Sequence, residues 1–452
     1  MLNTIWLAML LVAVLVGGFS GRLDAMTKGA FDTAKDTVME IALPLIGAMA
    51  IWLGMMRLAE RAGLVQSLAR GLRPVMRRLF PEVPADHPAI GAMVLNMAAN
   101  MLGLGNAATP LGLRAMALLQ KLNPHPTVAS NSMVTFLAVN TASIQLIPTT
   151  AISILAIQGS KNASIIVVPA IIATAIAMVC GITLAKLLSR MRAFRITDDA
   201  TASADAPSVA PESEVSVEKI QPVPMSGAGR LLLAAFLAAF GAMFFALVWP
   251  ALANSLPQSL GWQWRYGDFW PDLGMGLRVI RTVSLLAIPF LLGFFPLVAW
   301  LRGVNVYEQF CEGAKDAFDT AKRIIPFLVA MLVGIRLLRE AGVVQMVTDT
   351  LRPMLDKIHF PSDLLPLALM RPLSGGASQG IFVDLVKTHG ADSLIGRMAA
   401  TIYGSTETTF YVLAVYFGSV GIRKTRHAVI AGLTADIIAI ACAITACHYL
   451  AR

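Results

Sequence analysis

Long apolar runs separated by short polar stretches dominate the chain. They lie near residues 2–19, 39–56, 128–157 and 163–189, and again near 230–253, 278–301, 324–338, 398–420 and 427–449. Most approach or exceed the roughly 20 apolar residues that a helix needs to cross a bilayer. Helices satisfy their own backbone in hydrocarbon, so the pattern predicts an all-α polytopic membrane protein with about 8–11 membrane segments. Two further runs, 89–118 and 364–386, are apolar but interrupted. ANMLGLGNAATPLG (99–112) and MRPLSGGASQG (370–380) put Gly, Pro, Asn and Ser where lipid penalises exposed backbone. In the first, Gly103 and Gly105 permit a turn, and Thr109 before Pro110 reads as the cap of a resumed helix.

The stretch 194–227 (FRITDDATASADAPSVAPESEVSVEKIQPVPMSG) is rich in Ala, Ser, Pro and acids, and reads as a flexible linker between residues 1–193 and 228–452. The halves repeat. AFDTAK occurs at 30–35 and at 317–322, RLAERAGLVQ (57–66) answers RLLREAGVVQ (336–345), and LRPVM (72–76) answers LRPML (351–355). SMVTFLAV (132–139) loosely answers TETTFYVLAV (406–415). This ordered set implies an internal duplication. One apolar span precedes each copy, 2–19 or 278–301, and 230–253 is an addition to the second half. Residues 2–19 read as a retained first span with its N-terminus outside, since no basic residue precedes them and no A-x-A site follows. WQWRYGDFW (262–270) reads as an interfacial aromatic belt on an extracytoplasmic loop.

The segments 39–56 and 324–338 are flanked by basic residues on both sides and carry an early proline, Pro44 or Pro326. A re-entrant or broken helix at each would reconcile this with the positive-inside bias; an ordinary span beside a surface helix is the alternative. Whether the repeats are parallel or inverted stays open: counting charges favours parallel, because AFDTAK follows an out-to-in span both times, but Arg423, Lys424 and Arg426 sit awkwardly with that count.

Composition supports the membrane reading: 56% of residues are hydrophobic and 14% charged, with mean hydropathy +0.69. A large soluble helical protein could not bury so many uncharged runs. The net charge of +9 reads as positive-inside bias, and no aromatic–basic stripe points to nucleic acid. Four scattered cysteines suggest no disulfide framework, and Cys442, Cys447 and His448 have no standard zinc or haem spacing.

Polar residues in apolar context are the candidate chemistry. They are Asn96, Asn100, Asn106, Thr109, Asn131, Ser132 and Asn140 in the first half, with Thr135, Thr141 and Gln145 nearby. The second half has Arg371, Ser374, Ser378, Gln379, Ser405, Thr406, Glu407 and Thr408. Such groups should face a cavity, with helix breaks offering free N–H and C=O groups as ligands; close packing with bonds across helices is the alternative. Glu407 stands out, as a proton or cation site or as a salt-bridge partner of Arg371. Asp384 and Asp436 are weaker candidates that could sit near an interface. The chain lacks a phosphate loop and H-E-x-x-H, so neither direct nucleotide drive nor an enzyme is expected.

LFPEVPADHPAIGAMVLNMAANMLGLGNAATPLGLRAM (79–116) and ASNSMVTFLAVNTASIQLIPTT (129–150) resemble spore maturation protein A. RPLSGGASQGIFVDL (371–385) and YGSTETTFYVLAVYFGSVGIRKTRHA (403–428) resemble spore maturation protein B. The resemblance implies a fusion of the two, within a nucleoside-recognition or gate-domain group that includes membrane domains of concentrative nucleoside transporters and of the ferrous-iron transporter B, whose GTPase is missing here. It also implies two repeated transporter-like halves around a central site. The expectation is a multi-pass protein of the bacterial inner membrane, a secondary transporter for a small, nucleoside-like polar solute. No cofactor is expected. Coupling to H⁺ or Na⁺ is expected; which ion couples and whether a homo-oligomer forms stay open. The rival is a non-transporting scaffold in spore or envelope maturation.

Overall fold

The computed structural model describes residues 2–84, 86–102, 105–142, 144–194, 223–250, 253–254, 273–357 and 360–450. Most of the expected linker and the whole of WQWRYGDFW lie outside them. The described chain is helical throughout. The first half comprises α1 (Leu2–Phe19), α2 (Leu23–Arg61), α3 (Leu64–Leu79), α4 (Pro88–Met101), α5 (Gly105–Lys121), α6 (Asn131–Thr141), α7 (Thr149–Ile157) and α8 (Val167–Arg190). After α9 (Gly227–Val248), the second half comprises α10 (Met275–Leu301), α11 (Val306–Glu340), α12 (Val343–Lys357), α13 (Leu365–Met370), α14 (Gly375–His389), α15 (Leu394–Ser405), α16 (Thr409–Ser419) and α17 (Ala428–Leu450). Five described helices are long and apolar enough to cross a membrane. With α1, α11 and the interrupted pairs α6–α7 and α15–α16, the chain stays within the expected range.

The eight elements before α9 match the eight after it, in order. The shared AG dipeptide has one job in both copies: Gly63 (φ 70°) and Gly342 (φ 84°) make the left-handed turn that ends the long helix and starts the amphipathic one. The order corrects one alignment. SMVTFLAV forms α6, whose counterpart is α15, whereas TETTFYVLAV runs into α16. Both α6 and α15 start from a serine cap: Ser130 accepts from the Met133 N–H at 3.2 Å and Ser393 from the Gly396 N–H at 3.0 Å.

The copies are inverted, not parallel. Gly54 of α2 lies against Phe310 and Gly313 of α11, while Gly29 lies against Arg336 and Glu340, so the two long helices run antiparallel. Arg22, after α1, donates to the Glu340 carbonyl at 3.2 Å, and Arg302, after α10, donates to the Ala62 carbonyl. The charge count misled because both long helices are basic at both ends. Nor do these helices break. Residues 324–338 continue straight through Pro326, and 39–56 shows only a π-helical turn over Thr37–Ala42, just before Pro44.

The re-entrant elements are elsewhere. The α4–α5 hairpin starts and ends at one end of the bundle, and α13–α14 starts and ends at the other. At the first end, the Arg423 and Lys424 N–H groups donate to the Thr127 carbonyl at 2.9 and 3.0 Å. At the opposite end, Asp392 accepts from the Ser160 hydroxyl (2.7 Å) and the Lys161 N–H (3.0 Å), beside Arg397 at 3.6 Å. Burial would raise the Asp392 pKa, but these donors and Arg397 outweigh it and hold the carboxyl below its usual range. These are corresponding loop pairs of an inverted repeat. The α6–α7 and α15–α16 pairs run between the ends, and α8 and α17 cross without interruption. α9 packs antiparallel on α10, with Gly229 against Leu301 and Phe236 against Gly293.

The α2–α11 contact is backbone-close. A Cβ on Gly313 would sit 2.6 Å from the Leu53 carbonyl and 2.5 Å from the Arg57 Cβ, whereas one on Gly47, also in α2, meets nothing within 4 Å. Gly313→Ala is therefore expected to destabilise by about 1–3 kcal/mol through overpacking. Gly47→Ala should be neutral or stabilise by up to about 1 kcal/mol through helix propensity. Thermal melts of the two purified variants check the contrast; equal melting temperatures would contradict the packing.

Candidate functional site

Hydrocarbon leaves a broken helix with orphan backbone groups, so the breaks must meet protein or a polar cavity. Here they meet each other. A cavity of about 240 Å³ lies where the tips of the two hairpins approach the breaks in α6–α7 and α15–α16. Asn100 lines it from the end of α4, Gln145 from the α6–α7 break, and Thr149 and Thr150 from the start of α7. Arg371 and Gly375 line it from the α13–α14 tip, Tyr403 from the end of α15, and Glu407 and Thr408 from the α15–α16 break. The N-termini of α7 and α14 and the residue before α16 all reach its wall, where the helix dipole favours acceptors and negative charge.

Arg371 is the centre of the wall. It is 5% exposed. Its Nε donates to the Thr406 hydroxyl at 3.0 Å and its terminal nitrogens to the Tyr403 carbonyl (2.9 Å), the Thr406 carbonyl and the Thr408 hydroxyl (3.5 Å). The guanidinium also stands 4.6 Å above the centre of the Tyr403 ring. One side chain thus satisfies the carbonyls freed where α15 stops. Gly375 lets the hairpin tip come this close: a Cβ there would lie 3.1 Å from the Thr408 hydroxyl.

Glu407 does not pair with Arg371 in an ion pair. Its backbone N–H donates to the Thr141 carbonyl at 3.2 Å, and its Oε1 accepts from Gln145 Nε2 at 2.9 Å. These two bonds join the breaks of the two repeats. Behind the cavity, Asn100 donates to Asn140 Oδ1 at 3.0 Å, and Tyr416 bridges Asn140 and Asn96 through two longer contacts of 3.4 Å.

Of the residues expected from sequence, Asn100, Arg371, Glu407 and Thr408 line the cavity. Asn96, Asn140 and Thr406 support that wall, and Ser374 caps α14 by accepting from the Ala377 N–H at 3.2 Å. Ser378 and Ser405 bond to carbonyls of their own helices, and Gln379 is buried in α14, away from the lining. Thr109 is not the cap of α5, which already starts at Gly105; the side chain of Asn106 lies outside the described residues. Asn131 and Ser132 are at the far end of α6, about 13 Å along the helix from Asn140. There both donate to Glu82, at 3.0 and 3.1 Å, and Arg426 donates to Asn131 Oδ1 at 2.8 Å. Gln145 was visible as a polar residue between apolar runs. Tyr403 and Thr149 gave no sequence signal beyond their neighbours.

Arg371→Met would strand buried carbonyls and should lower stability by about 2–4 kcal/mol. Glu407→Gln keeps the acceptor for Gln145 and should stay within about 1 kcal/mol of wild type. Unfolding followed by circular dichroism separates the two; a silent Arg371→Met would contradict its role in the wall.

The chain matches the family model described as "Nucleoside recognition" over residues 42–194 and 321–423, more than half its length. It is 43% identical over 176 residues to spore maturation protein A of Bacillus subtilis (strain 168), covering 39% of this chain and 89% of that protein. It is also 43% identical over 168 residues to spore maturation protein B of the same organism, covering 37% of this chain and 94% of that protein. The first likeness falls in the N-terminal half and the second in the C-terminal half.

Proposed function

The chain belongs to the nucleoside-recognition family, and from that premise we propose that it is a secondary transporter of the bacterial inner membrane for a small polar solute. The observation that carries this reading is the cavity at the junction of four helix breaks, two from each inverted half. Inverted repeats with discontinuous helices around a central site are the architecture of many transporters. At about 240 Å³ the cavity is below the ~300 Å³ lower end of ordinary ligand pockets, so it suits a solute of nucleoside size or smaller. Its donors are the helix N-termini, Gln145 and the threonines; its anionic acceptor is Glu407. A solute offering both hydroxyls and amide-like groups fits this set.

Glu407 is the group we assign to coupling with H⁺ or Na⁺, since it is the carboxylate in the cavity wall and it joins the two repeats through Gln145 and Thr141. The spore-maturation names of the two relatives, and the four arginines of α3 (Arg70, Arg73, Arg77 and Arg78), favour a second reading: a membrane scaffold that docks partners on that basic helix. Neither reading invokes an enzymatic reaction.

One experiment separates them. Thermal stability of the purified protein is measured against nucleosides, nucleobases, amino acids and metal ions, with and without Na⁺ and across pH, in wild type and Glu407→Gln. The transport reading expects a solute that raises the melting temperature of wild type and raises it less in the variant. No shift from any compound, with both proteins folded, would favour the scaffold.

A further inference from the structure

A second carboxyl group lies behind the cavity wall. Asp436 is eight residues into α17 and 2% exposed. Its Oδ2 accepts from the Thr409 hydroxyl at 2.6 Å, while its Oδ1 has no hydrogen-bond partner. No basic side chain forms an ion pair with it among the described residues. α8 presents Ala177 and Gly181 to the neighbouring Ala435 and Ala439, α6 presents Thr141, and α16 presents Thr409. Of these only the threonines are polar, and the Thr141 hydroxyl is spent on the Leu137 and Ala138 carbonyls. The charged groups that act on Asp436 are Arg371 and Glu407, both on the cavity side of Thr409.

An ionised carboxylate with one neutral hydrogen bond and no adjacent counter-charge is expensive inside a membrane protein, by several kcal/mol. Such groups are rare in membrane spans and mark ion pathways. Neutralising the charge takes a cation, and the site is too poor in oxygens for a metal ion, which would want several more ligands. A proton needs only the free Oδ1.

The connection to the cavity is short. Thr409 is the first residue of α16, and Glu407 and Thr408 immediately before it line the cavity. Contact is also close on the α17 side: a Cβ on Gly432, one turn before Asp436, would lie 2.7 Å from the Thr409 methyl group. A change in the charge of Asp436 therefore acts directly on the residue that anchors Glu407 and Thr408.

We propose that Asp436 is a proton-binding site that sets the position of the Thr406–Thr408 wall through Thr409. The proton comes from water, forms an O–H bond at the free carboxylate oxygen, and returns to water when the site empties. The assignment deepens the transport reading and rests on it for its role in a cycle. Proton binding itself is tested without any solute.

Infrared difference spectra between acid and alkaline pH are recorded on the full-length protein in liposomes, for wild type, Asp436→Asn, Thr409→Val and Glu407→Gln. The expected result is a carboxyl C=O band that appears and disappears with pH. It should be lost in Asp436→Asn, shifted in Thr409→Val, which removes its hydrogen bond, and kept in Glu407→Gln. A band unchanged in Asp436→Asn, or one that never responds to pH, overturns the proposal. Should Asp436→Asn fail to fold, an unshifted band in folded Thr409→Val overturns it equally. If the band titrates as expected while no solute stabilises the protein, the transport reading fails and the proton site stands.

Discussion

A buried guanidinium makes the broken helices of this protein tolerable. Where α15 ends, its carbonyls turn inward with no following N–H to accept, and lipid offers none. Arg371 reaches over from the facing hairpin tip and supplies the donors, with Tyr403 closing one face of its plane. Arg suits the position better than Lys would, because a planar fork of donors can serve several acceptors at once. The wall that holds Glu407 and Thr408 is therefore built by a residue from a different element, so hairpin and break are positioned together or not at all.

The first repeat solves the same problem with no charged side chain of its own. Its break between α6 and α7 is held by amides: Asn100 on Asn140, Gln145 on Glu407, and the Thr141 carbonyl taken by the Glu407 N–H. The two repeats thus share an architecture but divide the chemistry. One contributes neutral amides, the other a cation and an anion, and the cavity lies on the seam between them. A site made by two unlike halves is asymmetric although the halves repeat the same order of elements.

Much of this was legible in the sequence. The duplication was written in AFDTAK, in the AG turn and in the LRP helix, because those strings occupy equivalent places in helices of the same length class. Glycine, serine and asparagine in apolar surroundings marked both hairpin tips, since hydrocarbon tolerates such residues only where protein or a cavity covers them. What was not legible depended on direction. A basic residue at a helix end reports a membrane side only when its other end is not basic, and both long helices are basic at both ends; inversion was therefore invisible to charge. Asn131 and Asn140 looked alike as polar residues of one run, but a helix carries them to opposite places, one to the loop clasp at Glu82 and the other behind the cavity. Asp436 looked like an interfacial residue because nothing in α17 fixes where along the helix its partners lie.

The inversion gives α9 a purpose that its unremarkable apolar sequence does not suggest. The first half begins and ends at the same end of the bundle: α1 leads away, α2 returns, the hairpin stays, α6–α7 leads away and α8 returns. A copy attached directly to α8 would enter the bilayer the same way up. α9 adds one crossing, so α10 starts from the opposite end and the second half is threaded upside down. Two separate polypeptides can each choose their own orientation during insertion, but a single polypeptide has to count its crossings. An odd helix between the halves is the topological requirement for joining them.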